Sequence, residues 1–192
     1  MRVAVRVQIQ RDRDVETELL DSTFNFLVEN GLENFSMREL CKATGVSIGS
    51  IYYWFDNKDE LIISAVQYGL SKVADEIFDY VFETLEDLEE FFATCLAEVE
   101  KSIMPLKVIY QAFMSPKYGK VLSSNAYSLN AVYSNYAKRM SDILGCDIDR
   151  MEALVHIFIS VITDYVVCGN YEVTKMSIDY LYSVFKELAS NV

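Results

Sequence analysis

The residues of this chain best suited to chemistry are Gly49, Ser50, Tyr52 and Tyr53, inside the run Gly49-Ser50-Ile51-Tyr52-Tyr53-Trp54-Phe55. That chemistry is hydrogen bonding and not bond breaking. Hydroxyls can meet nucleic-acid bases or phosphates, a glycine lets a backbone come close to a groove edge, and a helix N-terminus attracts phosphate. Covalent chemistry has little to work with: there is one histidine, and no Gly-rich phosphate loop, nucleophile elbow or zinc signature. Acid pairs such as Glu89-Glu90 read as solvated helix faces. The four cysteines, Cys41, Cys95, Cys146 and Cys168, are scattered without metal-ligand spacing. We therefore expect no enzyme, no metal and no cofactor, and thiols that are buried and reduced. A redox role for Cys146 or Cys168 stays open.

Positioning the hydroxyls falls to residues 36–61. Ser36 is of N-cap type, and Glu39 follows three residues on for the reciprocal bond of a capping box. A short helix then puts Leu40 and Ala43 inward and Arg38 and Lys42 toward water. Gly45 suits the left-handed backbone that closes a helix, and Val46 can seal the turn. Ser47 is a second N-cap, which predicts a helix over about Ile48–Trp54. Asn57 with Glu60 repeats the capping-box spacing and opens a third. Helices joined by so tight a turn must cross steeply, the geometry of a helix-turn-helix, with Ile51, Trp54 and Phe55 holding the second helix to its neighbours. An ordinary helical hairpin fits the same spacing.

Residues 14–61 resemble the DNA-binding domain of the tetracycline-repressor (TetR) family of transcription regulators. The resemblance is carried by Gly31, Ser36, Leu40 (with Cys41 where alanine is usual), Gly45-Val46-Ser47, the run Gly49 to Phe55, and Lys58-Asp59-Glu60-Leu61. Ile48 departs from it, standing where many members have a basic residue or proline. The resemblance implies an all-α fold: an N-terminal three-helix DNA-binding domain over 1–60, joined through a long helix to an effector-binding and dimerisation domain over 61–192. It implies DNA contacts from Ser50 and Tyr52, then Tyr53, with Gly49 permitting the approach and Ser36 and Lys58 meeting phosphate.

A chain of 192 residues, 52% apolar with 13 Tyr and 11 Phe, can bury a sizeable core and is not expected to be disordered. Residues 153–167 are apolar but short and interrupted by His156 and Asp164, so no membrane span is expected. The first ten residues lack the apolar core and cleavage site of a signal peptide. A cytoplasmic protein without a membrane partner follows. The formal charge of −12 opposes nucleic-acid binding, with seven Lys/Arg against eleven Asp/Glu in residues 1–70. A duplex contact needs only a local positive surface, so a modest, strongly salt-sensitive affinity is expected.

Along the chain, Val3, Val5, Val7 and Ile9 alternate with polar neighbours like a short strand with no partner nearby. An ordered arm and disorder both fit, and the family resemblance matches Arg11 and Arg13 to a basic arm. Helix one is expected over 14–30, with Leu19, Leu20, Thr23, Phe24 and Leu27 inward and Gly31 as its C-cap. A long helix over 58–83 should serve both domains, so that its tilt moves the recognition helix. Gly69 within it suits either a bend or a packing contact. Further helices are expected over 85–102, 105–114, 118–144, Ile148–Cys168 and Tyr171–Ser190.

Residues 153–167 are apolar around most of the helix circumference and need two partner surfaces, one of which a second copy would supply. Family resemblance implies the same: the last two helices form a four-helix dimer interface. We expect Ile157, Val161, Tyr165, Ile178, Tyr182 and Phe185 there. Two recognition helices one helical turn apart would read a palindromic operator in double-stranded DNA. The aromatic middle helices form either a core or an adaptable apolar pocket. The resemblance implies a small, apolar or aromatic effector that releases the DNA, with Phe78, Tyr110, Phe113, Tyr133 and His156 as candidate contacts. The reading is thus a sequence-specific transcriptional regulator, most simply a repressor. The alternative is a helical adaptor or structural protein that keeps the fold without specific DNA binding.

Overall fold

The computed structural model describes residues 2–78, 84–124 and 129–190, with side chains at 14–76, 84, 86–124 and 129–188. Among the described residues there are helices and no strand: α1 (Arg2–Asn30), α2 (Met37–Thr44), α3 (Ile48–Trp54), α4 (Lys58–Phe78), α5 (Leu85–Lys101), α6 (Ile103–Met114), α7 (Gly119–Ser123), α8 (Leu129–Leu144), α9 (Ile148–Cys168) and α10 (Tyr171–Ser190). Internal contacts divide the chain into two compact units, Met1–Lys72 with Val108–Leu122, and Val73–Lys107 with Ser123–Val192. That division differs from the expected one at 60/61, because residues 61–72 and 108–122 group with the helix-turn-helix.

In the first unit α1 corrects the reading of the N-terminus. Residues 2–13 are helical, neither a strand nor an extended arm. The alternation of Val3 to Ile9 is overridden because lengthening an existing helix fixes one residue per hydrogen bond, whereas an unpaired strand gains none. The helix stops at Gly31, whose φ of 82° is left-handed and whose N–H donates to the Leu27 carbonyl at 2.8 Å. Leu19, Thr23, Phe24 and Leu27 are buried as the spacing predicts, and Phe26 joins them, its ring meeting Phe35 edge-on at 5.8 Å. Leu61, Ile62, Ala65, Val66 and Leu70 of α4 are buried too. Gly69 is a packing glycine: an added Cβ would fall 2.3 Å from the Phe24 ring.

The second unit is built on α5, α8, α9 and α10. Thr84 and Asp87 form a reciprocal capping box at the start of α5, which sequence reading missed. Asp147 caps α9, accepting from Arg150 N–H at 3.2 Å, and left-handed Gly169 ends it. Phe92 lies at the centre of the core, with ring centroids 5.4 Å from Phe91, 5.6 Å from Phe158, 5.4 Å from Tyr182 and 5.2 Å from Phe185. The helix expected over 118–144 is two, α7 and α8, with residues 125–128 outside those described. Residues 79–83, expected to end the long helix, also lie outside them.

Two further expectations change. By length and composition α9 is apolar enough to cross a membrane, but Met151, Val155, Phe158, Ile159, Ile162, Tyr165 and Val166 bury one of its sides in this unit. Of the cysteines only Cys95 is buried, and burial pushes its thiol up to about 12. Cys41 and Cys146 are half-buried, and Cys168 is exposed beside Asp164, whose carboxylate raises its thiol pKa.

Candidate nucleic-acid interface

The turn between α2 and α3 is built as its residues dictate. Gly45 has φ 72° and donates to the Cys41 carbonyl at 3.0 Å, while Thr44 Oγ1 donates back to Leu40 at 2.8 Å and accepts from Val46 N–H at 3.3 Å. Ser47 then caps α3, its Oγ accepting from Ser50 N–H at 3.1 Å and sharing a 2.8 Å hydroxyl contact with Ser50 Oγ. Ile51 and Phe55 are buried behind the helix. Its outer face therefore carries Ile48, Gly49, Ser50, Tyr52 and Tyr53, with Tyr53 76% exposed. Trp54 is half-buried and braces Tyr53 edge-on at 5.1 Å. A Cβ on Gly49 would touch only Ser47 Oγ, at 3.8 Å, so the chain's own packing does not demand glycine there.

Two candidate phosphate contacts are placed otherwise than expected. Ser36 sits at the N-cap of α2 but makes no side-chain capping bond. Glu39 instead pairs with Lys42 at 2.8 Å, one turn along α2, and that hydrogen bond lowers its carboxyl pKa. An i,i+3 partner on the helix surface has outcompeted the reciprocal box. Ala43 is exposed, not inward. Lys58 donates to the Phe35 carbonyl at 2.6 Å and sits 5.1 Å from the Phe35 ring centroid, so its ammonium already ties α4 to the loop before α2.

Acidic groups beside α3 are likewise engaged. Glu60 Oε2 accepts from Asp56 N–H at 2.7 Å, one residue away from the box expected with Asn57, whose Oδ1 takes Asp59 and Glu60 N–H. Asp59 accepts from Lys117 Nζ at 2.5 Å and from Tyr118 Oη at 3.2 Å. The Lys117 hydrogen bond holds the Asp59 carboxyl below its ordinary range. Behind that contact the turn into α7 is tight: a Cβ on Gly119 would lie 2.2 Å from the Phe113 carbonyl oxygen, so only glycine fits.

The expected effector contacts are divided between the two units. Tyr133 and His156 meet edge-on at 5.5 Å in the second unit, with His156 exposed. Tyr110 and Phe113 are half-buried and group with the first unit. The side chain of Phe78 lies outside those described. Phe91, Phe92, Tyr136 and Met140 of the aromatic middle helices, with Val155, Phe158 and Phe185, line an apolar space of about 10 Å³, room for about one water.

The expected dimer interface is corrected in part. Tyr165, Ile178 and Phe185 are 6%, 2% and 1% exposed and belong to the subunit's own core, with Tyr165 Oη donating to Glu100 at 2.8 Å. Tyr182 is half-buried, its ring against Phe92. Ile157 and Val161 do reach the surface, where they line an open groove of about 570 Å³ with Leu154, Val173, Met176 and Tyr180. The missed signal was a second apolar stripe on α10, Val173-Met176-Tyr180-Val184, offset from the buried Thr174-Ile178-Leu181-Phe185.

Comparison with known proteins fits this geometry. Residues 19–65 match the family model for bacterial regulatory proteins of the tetR family. The chain is 29% identical over 94 residues to the HTH-type transcriptional regulator PksA of Bacillus subtilis, covering 47% of this chain and 46% of PksA. It is 33% identical over 82 residues to an uncharacterized HTH-type transcriptional regulator of Haemophilus influenzae, covering 42% and 40%. The matched segments thus span less than half the length of these relatives. Over most of its length the fold is similar to solved structures at low identity. A proposed tetR family regulator from Shewanella sp. PV-4 has TM-score 0.60 at 14% identity, covering 87% of this chain and 93% of that one. A proposed transcriptional regulator from Pseudomonas aeruginosa PAO1 has TM-score 0.61 at 15%, covering 93% and 92%. The helix-turn-helix of this chain thus matches the tetR family model over residues 19–65, and the chain shares its helical fold with these solved structures.

Proposed function

We propose that this chain is a sequence-specific DNA-binding transcriptional regulator that acts in the cytoplasm as a homodimer and reads a palindromic operator through α3. The observation that carries the reading is the division of α3. Ile51 and Phe55 fix it from behind, while Gly49, Ser50, Tyr52 and Tyr53 face outward with nothing of the first unit over them. Short polar and aromatic groups on a helix held this way suit base edges and phosphates in a major groove. Ser50 and Tyr52 are assigned to bases, and Ser36 and Tyr53 to the backbone. Lys58 keeps donors beyond the one it gives Phe35.

The regulator is a repressor in this proposal, released by a small apolar or aromatic effector. Support comes from the ring cluster around Phe92, which can repack around an apolar guest. Effector and DNA would be linked reciprocally, with a coupling of roughly 1–3 kcal/mol changing either affinity about 5–150-fold. The test is selection of purified protein on a random duplex pool, followed by anisotropy titration of the enriched sequence in rising salt. We expect a palindrome with half-sites about one helical turn apart and an affinity that falls steeply with salt. Failure to enrich any sequence would favour the helical adaptor instead.

A further inference from the structure

We propose that the α9–α10 face pairs with the same face of a second copy about a two-fold axis at Ser160, which sets each His156 opposite Asp164 of the partner subunit. This rests on the homodimer reading above and adds its register. Ala153, His156, Ser160, Asp164 and Val167 are all exposed and recur along one stripe of α9 at spacings of three, four, four and three, a palindrome, with exposed Ile157 beside it. When two copies of such a stripe run antiparallel about its centre, Ser160 meets itself, His156 meets the partner's Asp164, and Ala153 meets the partner's Val167. Each pairing is complementary: small with small, basic-capable with acidic, apolar with apolar.

The local structure suits close approach at that centre. Ser160 Oγ donates to the His156 carbonyl of its own helix at 2.8 Å, so the hydroxyl is folded down and position 160 presents little bulk. On either side the helices have apolar surface to cover. Val167, Val173, Met176 and Tyr180 are 66%, 53%, 70% and 71% exposed, more than isolated surface apolar residues require. His156, Ser160 and Asp164 line one open groove with Val173 and Thr174, and Ile157 and Val161 carry its wall into the neighbouring apolar groove. A second copy supplies the matching order of charge and apolar surface at once. The stripe spans about 21 Å, so contact along its length needs a shallow crossing near 20°.

The test uses the full chain. Sedimentation gives its association state, and a Ser160→Cys variant in a Cys168→Ser background is oxidised mildly. Facing α-carbons at a two-fold axis fall within disulfide reach, so we expect covalent dimers in high yield. His156→Asp should weaken association about tenfold by setting acids opposite one another, and His156→Asp with Asp164→His should restore it. A parent chain that stays monomeric overturns the dimer reading and the register together. A dimer that neither cross-links through position 160 nor recovers in the charge swap overturns the register alone.

Discussion

Gly69→Ala asks whether α4 is held in the first unit by direct contact with α1. A Cβ at position 69 would lie 2.3–2.4 Å from three carbons of the Phe24 ring, which is 2% exposed. Two effects oppose each other. Alanine inside a helix gains about 1 kcal/mol over glycine. Carbon atoms pack at about 3.5–4.0 Å, so the ring or the helix must retreat by more than about 1 Å. Overpacking of a filled core costs about 1–3 kcal/mol, and a clash with three ring atoms belongs at the upper end. The net expectation is a loss of about 2 kcal/mol, a fall in melting temperature of roughly 4–8 °C for a chain of this size. Thermal and urea unfolding of Gly69→Ala, Phe24→Leu and the double variant give the answer. Relief by the smaller side chain should make the double variant more stable than additivity predicts. A Gly69→Ala protein at least as stable as the parent, with additive behaviour in the double variant, would refute the contact and favour a bend point.

Lys58→Ala should lower the stability of the chain by about 1–2 kcal/mol, through the lost donor to Phe35, and also weaken DNA binding across sequences with a shallower salt dependence. Melting and a salt titration separate the two effects, and unchanged stability would remove the structural role. Because the hydrogen bond from Lys117 holds Asp59 below its ordinary value of 3.8, the pair's contribution is present above that pH and fades as pH falls through the lowered value. Asp59→Asn should therefore flatten stability against pH below about pH 4, read from urea midpoints across an acid series. Tyr165→Phe should cost about 1 kcal/mol of stability, from the lost bond to Glu100, and leave the dimerisation constant unchanged in sedimentation. A large fall in association would return Tyr165 to the interface.

What could be read from the sequence was local. Gly31, Gly45 and Ser47 mark helix ends because a left-handed backbone or a capping oxygen decides a boundary within one turn, and all three do so in the structure. Where two local partners compete, spacing does not choose between them, so Ser36 and Glu39 look like a capping box until Lys42 takes the carboxylate. Burial was legible only up to a rotation. The apolar residues of α9 and α10 announce two partner surfaces, but which stripe meets its own core depends on helix packing that sequence does not carry. Tyr165, Ile178 and Phe185 were thereby assigned outward, and Met176 and Tyr180 passed unnoticed. Lys58 shows the same limit at the candidate site. Its position at the start of α4 was legible, but its hydrogen bond to Phe35, 23 residues earlier in sequence, was not.

Net charge is the strongest argument against DNA binding when the chain is divided by sequence, and it weakens when the chain is divided by contact. The first unit, Met1–Lys72 with Val108–Leu122, holds ten Lys/Arg against eleven Asp/Glu, a net of −1. The second holds seven against eighteen, a net of −11, so nearly all of the acidic excess of −12 lies there. The difference from residues 1–70, at −4, is Lys72, Lys117 and Lys120, which join the unit that carries α3 without an accompanying acid. Lys117 spends its charge on Asp59, at the start of α4, within the stretch most in need of relief. Screening restricts an exposed charge to about 8–10 Å at ordinary salt, so what a phosphate feels near α3 is set by the charges close to it and not by the whole chain's total. A nearly neutral first unit gives a duplex modest non-specific attraction, so the recognition proposed above would depend also on the hydroxyl and aromatic groups of α3 and on two copies acting together.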